Sequence, residues 1–238
     1  MENAANASRT TVIACDTVLE EMRPLMTDNM GCERLEFGLH LHPEKLHRAL
    51  QDTVDKVSDL ADTIILGYGL CSMAVVGLKA ANSTLVVPRV DDCIAVFLGS
   101  GQAYKEQSRQ APGTYYLTKG WIEVGDTPFS EYERMVERYD EKRAARMMGL
   151  MLKNYTRLAF IDTGRYEQDR FRDYSRRTAE QFRLRYEEVP GSNDLIKRML
   201  FGPWDEDFVV APPGQAIDYA DFKTSAKGMC NSPASEAS

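Results

Sequence analysis

Short apolar runs alternate with longer segments of helical spacing along most of this chain, and this alternation constrains the fold more than any other feature. Residues 63–66 and 84–87 are apolar runs of strand length, and each is followed by turn residues. Runs of this kind indicate strands that are buried on both faces of a parallel sheet. Between them, residues 44–61 place apolar side chains at helical spacing. The pattern therefore predicts the α/β class, with helices covering a mostly parallel sheet.

The predicted elements alternate almost strictly. Strands are expected at residues 11–15, 35–39, 63–66, 84–87, 113–118, 158–162, 185–189 and 207–210. Helices are expected at 17–26, 44–61, 71–80, 93–98, 130–155, 166–182 and 193–201, the fourth capped by Asp91 or Asp92. Residues 11–225 are thus expected to form a single Rossmann-like three-layer α/β/α domain. Residues 1–10 and 226–238 are small and polar and are expected to be disordered tails.

Charge and cysteine content exclude several classes of function. The formal net charge of the 238 residues is -7, which argues against a nucleic-acid surface. No apolar run approaches the roughly 20 residues of a membrane helix, and no secretory leader is apparent. The five cysteines are therefore expected to be reduced thiols in a cytoplasmic protein. The oligomeric state stays open.

Metal-ligating side chains recur where the predicted strands end. Cys15 ends the first strand, His40 ends the second, and Cys71 and Cys93 lie just past the third and fourth. Ligands of open parallel sheets bind at the carboxyl ends of the strands, so these four side chains are expected to converge. Three thiolates and one imidazole suit tetrahedral zinc, and a [4Fe-4S] cluster is the alternative.

The competing interpretation is that each cysteine is an ordinary small apolar core residue. Cys71 and Cys93 are expected at helix starts, where backbone amides and the helix dipole lower the pKa of a thiol. Cys32 follows Gly31 in a polar loop and Cys230 lies in the tail, so neither is expected to be a ligand.

Acidic and aromatic residues complete the predicted site. Glu21 and Asp92 are candidate catalytic groups that could carry a proton, although helix capping also explains an aspartate at position 92. The candidate substrate-binding residues are Tyr68, Arg89, Tyr115, Trp121 and Asp162. Core packing, a helix cap or an Arg89–Asp91 ion pair are the alternatives for them. The glycine pairs at 67/69 and 99/101 do not complete a nucleotide-binding motif.

Several short motifs occur together along the chain. They are Tyr68-Gly69-Leu70-Cys71, Pro88-Arg89-Val90-Asp91-Asp92-Cys93, Pro112-Gly113-Thr114-Tyr115-Tyr116, Ile13-Ala14-Cys15 with Glu21, Leu39-His40, Ile161-Asp162-Thr163-Gly164 and Pro212-Pro213-Gly214. Together these motifs resemble domain-of-unknown-function family 1638 of bacteria and archaea. The resemblance extends over about residues 11–214. It implies an association with corrinoid-dependent methyltransferase systems, and histidine is not usual in the family at the position of His42.

Three functions are consistent with these residues. The first is a metal-binding protein, zinc or iron–sulfur, in methyl-transfer metabolism with a small-molecule substrate. The second is a non-catalytic accessory or carrier protein whose partner is a corrinoid protein. The third is a metal-free enzyme with a cysteine nucleophile.

Overall fold

The computed structural model describes residues 9–124, 127–164 and 169–223. The strands are β1 (Thr10–Cys15), β2 (Gly31–Leu35), β3 (Thr63–Leu66), β4 (Thr84–Pro88), β5 (Thr114–Leu117), β6 (Arg157–Asp162), β7 (Arg185–Pro190) and β8 (Phe208–Ala211). The helices are α1 (Asp16–Met22), α2 (Pro43–Val57), α3 (Cys93–Leu98), α4 (Gly101–Gln110), α5 (Lys119–Val124), α6 (Pro128–Arg138), α7 (Glu141–Met151), α8 (Asp169–Gln181) and α9 (Asp194–Phe201). The mixed α/β class predicted from the sequence is confirmed.

The strands form two sheets, whereas one was expected. The first has five strands in the order β2-β1-β3-β4-β8, and the second has three in the order β5-β6-β7. All pairs are parallel except that of β4 with β8. Ile13 pairs with Leu66, and Ile65 pairs with Val86, so the carboxyl ends of β1, β3 and β4 lie at one edge of the first sheet.

Two buried apolar clusters lie among the described residues, and the larger one contains residues of both sheets. It includes Ile64 and Ile65 of β3, whose side chains have no exposed surface, as expected for a central strand, and also Ala159 of β6. Leu158 and Phe160, on the other face of β6, lie in the smaller cluster, also without exposed surface. Trp121 packs against both clusters and so lies where the two sheets meet.

The predicted second strand was wrong. Residues 31–35 form the strand, and Phe37–Leu41 form a 3-10 turn that includes His40. β2 is an edge strand that pairs only with β1 and is half exposed, so its residues are mostly polar. The apolar residues after it, Phe37 and Leu39, pack against the core from the turn.

The predicted helix over residues 71–80 is a series of turns. Cys71, Ser72 and Met73 have φ angles of 46°, 55° and 74°, in the left-handed region. Long-range backbone hydrogen bonds take the place of helical ones: Leu70 N–H donates to Val90 O at 2.8 Å, and Gly77 N–H donates to Ile217 O at 2.8 Å. Cys71 therefore does not begin a helix.

Other boundaries differ from the prediction. The long helix expected over 130–155 is two helices, α6 and α7, because Asp140 caps a new helix by accepting from Arg143 N–H at 2.8 Å. α4 and α5 were not predicted. β1 already begins at Thr10, within the predicted tail. The expected start of a helix at 166, most of the two tails and Cys230 lie outside the described residues.

None of the helices in the described part of the chain has the length and apolar character that crossing a membrane requires.

Candidate functional site

The first sheet has a point where its strand order reverses. From β1 the chain crosses to β2 on one side, and from β3 it crosses to β4 on the other. In doubly wound sheets, a crevice forms at the carboxyl ends of the two strands that flank this reversal, and ligands bind there. The crevice of this protein lies at the ends of β1 and β3.

Cys15 is the last residue of β1 and faces this crevice region from a buried position. Its Sγ lies 3.2 Å from Thr17 Oγ1 at the start of α1. Burial raises the pKa of the Cys15 thiol, so the sulfur is protonated at neutral pH.

Two glycines bring the segment after β3 close to its neighbours. A Cβ on Gly67 would lie 2.5 Å from Ala14 Cβ, and one on Gly69 would lie 2.6 Å from Val90 O. Backbone contacts this short are open only to glycine. They hold Cys71 near the segment after β4, where Cys71 N–H donates to Asp91 O at 2.9 Å.

Cys93 is the first residue of α3, and Asp92 caps that helix. Asp92 Oδ1 accepts from Ile94 N–H at 2.9 Å, and Asp92 Oδ2 accepts from the Tyr104 hydroxyl at 3.2 Å. The predicted cap at position 92 is thus confirmed. Burial raises the pKa of Asp92, and the nearby Asp91 carboxylate adds to the rise.

The three cysteines act on one another electrostatically. Desolvation raises the pKa of Cys71 to about 12, and Cys15 contributes to the rise. Desolvation also raises the pKa of Cys93 well above its usual value, with contributions from Cys15 and Cys71. Three residues far apart in the sequence therefore influence one another's ionisation.

The predicted lowering of the thiol pKa values was wrong. Cys71 is not on a helix, and α3 has only six residues. Because removal from water disfavours a thiolate, desolvation outweighs the backbone amides at both positions.

Tyr68 lies beside the thiols. Its side chain is buried, with 4% exposed, and its hydroxyl has no hydrogen-bond partner among the described residues. Burial raises the pKa of Tyr68, and Cys15, Cys71 and Cys93 all raise it further. The Tyr68 hydroxyl therefore keeps one proton that it can donate.

His40 is not assembled with the thiols as a fourth ligand. It lies on the 3-10 turn, exposed, with Nδ1 at 2.5 Å from Phe37 O. Across the described ranges, no three His, Cys, Asp or Glu side chains are arranged to hold a metal ion. The predicted set of Cys15, His40, Cys71 and Cys93 is therefore not a preformed tetrahedral site.

A cavity of about 250 Å³ adjoins Cys93 and separates α3 from the edge strand of the second sheet. It is called the inter-sheet cavity below. Its lining residues are Phe37, His40, Asp92, Cys93, Ile94, Thr114, Tyr115, Tyr116, Trp121, Thr127 and Tyr155. Tyr115 and Trp121, two of the predicted substrate-binding residues, are among them.

The other predicted site residues lie away from this cavity. Arg89 donates to Phe208 O at 3.1 Å and so ties β4 to β8. Asp162 pairs with Arg172 and accepts from Gly164 N–H at 2.7 Å. Glu21 is buried on α1 and accepts from Thr163 Oγ1 at 3.0 Å, which links the two sheets.

Sequence reasoning missed several residues of the cavity. Phe37, Thr127 and Tyr155 line it, and Tyr104 supports Asp92. Tyr155 lies before β6, at the amino end of that strand. The rule that ligands bind at the carboxyl ends of strands therefore did not select it. Tyr104 lies on α4, which had no apolar periodicity to reveal it.

The fold defines a class: an α/β protein of doubly wound strand order, with cysteines that end β1 or lie in the segments that follow β3 and β4. The chain belongs to the family described as "Protein of unknown function (DUF1638)", whose model matches residues 34–200. This confirms the family expected from the motifs. The match includes His40, Cys71 and Cys93, while Cys15 and residues 212–214 lie outside it. Neither a curated protein nor a solved structure matches the chain.

Proposed function

We propose that this protein binds a thiophilic metal, zinc or an iron–sulfur cluster, through Cys15, Cys71 and Cys93. The observation that supports the proposal is that thiols from positions 15, 71 and 93, which end or follow the neighbouring strands β1, β3 and β4, raise one another's pKa values. Thiolate sulfur is the ligand that zinc and iron–sulfur clusters prefer.

The electrostatics favour a cation in this place. Desolvation raises the pKa of Cys93, and Cys15 and Cys71 raise it further, so a positive charge nearby would stabilise the thiolates. A bound metal ion supplies the missing positive charge and takes thiols in their deprotonated form. The Tyr68 hydroxyl, buried beside the sulfurs without a partner, would donate to a thiolate and stabilise it.

Closing the ligand set requires movement, since the thiols are not yet in coordination geometry. The segment 71–73 is suited to move because Ser72 and Met73 are exposed and three successive residues have left-handed φ angles. Cys15 and Cys93 are held by a strand end and a capped helix. We therefore assign the adjustment to Cys71.

When bound, zinc would act as a Lewis acid and lower the pKa of a thiol substrate. Asp92 is the carboxyl that lines the adjoining cavity, and its raised pKa suits a group that takes up and releases a proton. The methyl-transfer reaction and the corrinoid partner rest on the family resemblance alone and stay predictions.

A metal-free cysteine nucleophile fits the site less well. Such an enzyme needs a thiolate at neutral pH, and all three thiols have raised pKa values.

Metal analysis of the full chain, purified without oxygen and reconstituted with zinc or with iron and sulfide, tests the proposal. We expect about one ion or cluster per chain. Cys15→Ser, Cys71→Ser and Cys93→Ser should each reduce occupancy about tenfold or more. Cys32→Ser is the matched control, because Cys32 is exposed on β2 and its loss should leave occupancy unchanged.

Cadmium provides a readout that does not depend on activity. Its thiolate charge-transfer absorption should weaken in each of the three variants and persist in Cys32→Ser, with circular dichroism confirming that each variant is folded. Occupancy in the wild type no higher than in Cys71→Ser would overturn the proposal.

A further inference from the structure

The inter-sheet cavity has an aromatic wall. Six of its lining residues are rings, drawn from both sides: Phe37, His40, Tyr115, Tyr116, Trp121 and Tyr155. The faces of aromatic rings carry negative electrostatic potential, which attracts cations.

The rings are held in place by one another. Trp121 lies between Phe97, edge-on at a centroid distance of 5.9 Å, and Phe37 at 6.5 Å. Phe37 in turn packs on His40 at 4.3 Å, and Tyr115 packs edge-on against Tyr155 at 5.4 Å. A wall that is already ordered loses little conformational entropy when a ligand binds.

The charged group of the cavity is a carboxylate. Asp92 lines it, and the hydrogen bonds on its two oxygens come from neutral donors, Ile94 N–H and the Tyr104 hydroxyl. The described lining includes no lysine or arginine. Behind the wall, the buried Arg157 guanidinium donates to Thr114 Oγ1 at 2.7 Å, but its charge is balanced by Glu187 at 3.1 Å. The charge that is left facing the cavity is that of Asp92, which complements a cation.

The volume limits the size of the ligand. About 250 Å³ holds about eight water molecules at ~30 Å³ each, so a ligand of about seven or eight heavy atoms fits. A bare metal ion would leave most of this space empty.

From the aromatic wall, the lone carboxylate and the volume, we infer that the inter-sheet cavity binds a small organic ammonium ion. The methylated ammonium group packs against the ring faces, and Asp92 supplies the opposing charge. This site goes beyond the proposed metal function. It shares Asp92 and Cys93 with that function, but it needs neither a bound metal nor Cys15 and Cys71, which do not line the cavity.

Choline and its uncharged isostere 3,3-dimethyl-1-butanol are the probes for this inference. They have nearly the same shape, so a difference in affinity reports the charge. We expect choline to bind at least about tenfold more tightly. Quenching of Trp121 fluorescence in a Trp204→Phe background follows binding, because Trp204 donates to Met199 O at 3.0 Å and does not line the cavity.

Two pairs of variants identify the groups involved. Asp92→Asn keeps an N-cap residue but removes the charge, and it should weaken choline binding about tenfold or more without affecting the isostere. Asp91→Asn, an exposed neighbour outside the lining, is its control. Tyr155→Leu should weaken the binding of choline about threefold to tenfold. Tyr219→Leu, which changes an exposed tyrosine outside the cavity, is the control and should leave choline binding unchanged. Calorimetry measures the affinity of both variants.

Equal affinity for choline and the isostere, or no effect of Asp92→Asn, would overturn the inference. Cys15→Ser separates it from the proposed function, since Cys15 does not line the cavity. Loss of metal with choline binding intact in that variant supports both proposals. Metal bound without any choline binding leaves the metal proposal standing and refutes the ammonium site.

Discussion

Cys71 should react slowly with disulfide reagents in the metal-free protein. Its pKa of about 12, against 9.0 for the unperturbed thiol, means about a thousandfold less thiolate at neutral pH. A more basic thiolate is also more nucleophilic, and a Brønsted coefficient of 0.4–0.5 over this difference returns about 15- to 30-fold. Ionisation alone should therefore slow the reaction about 30- to 60-fold relative to a cysteine peptide.

The assay is the reaction of chelator-treated protein with a chromogenic disulfide between pH 7 and 9.5, with each site identified by mass spectrometry. The Cys71 rate should rise about tenfold per pH unit without levelling off, because the pKa lies above the range. Cys32, which is exposed, provides the accessible thiol of the same chain. A Cys71 rate that reaches a plateau below pH 9 would refute the reasoning and revive the metal-free nucleophile.

The same shift predicts how stability depends on pH. The folded protein holds the Cys71 proton more tightly than the unfolded chain between pH 9 and about 12. The free energy of unfolding should therefore fall as pH rises through this window, and bound zinc should remove that dependence. Urea titrations with and without zinc measure it.

Further predictions concern the stability of variants at Asp92, Gly69 and Gly149, measured by urea unfolding. Asp92→Ala should lower the free energy of unfolding by about 1 kcal/mol, because it removes the cap of α3, whereas Asp92→Asn should retain the cap. Because the pKa of Asp92 is raised in the folded protein, the wild type should lose stability as pH rises above about 4. Asp92→Asn should abolish this loss. Gly69→Ala should cost about 1–3 kcal/mol because its Cβ meets backbone. Gly149→Ala, where nothing lies within 4 Å, should instead gain about 0.5–1 kcal/mol. An equal effect at the two glycines would contradict the packing argument.

Buried strands were predictable because a strand that is covered on both faces of a sheet needs apolar residues along its whole length. β3 is apolar on both faces, and its bounds match the prediction. β2 was not recognised from the sequence, because an edge strand with one neighbour tolerates polar side chains and shows no apolar run. The helix predicted over residues 71–80 was also wrong. The backbone of residues 70–77 donates hydrogen bonds to residues 90, 91 and 217, and the local sequence does not reveal these distant partners.

The candidate site was predictable where it depends on topology. Three thiols were expected at one edge of a sheet, and β1, β3 and β4, which precede them, are parallel neighbours. His40 was misplaced because its strand was misplaced. The thiol pKa values are raised, whereas lowered values were predicted. Desolvation depends on the groups that surround a sulfur in the folded protein, and spacing along the chain does not show these.

The sequence by itself determined the α/β class, the central strands and the family, because apolar periodicity and short motifs are local properties. Only the tertiary structure decided that the strands divide into two sheets, and that a ring-lined cavity with one carboxylate lies between them. Packing of one sheet against the other brings together residues 37, 92, 115 and 155. No local pattern encodes that contact, because it follows from how the two sheets pack against each other.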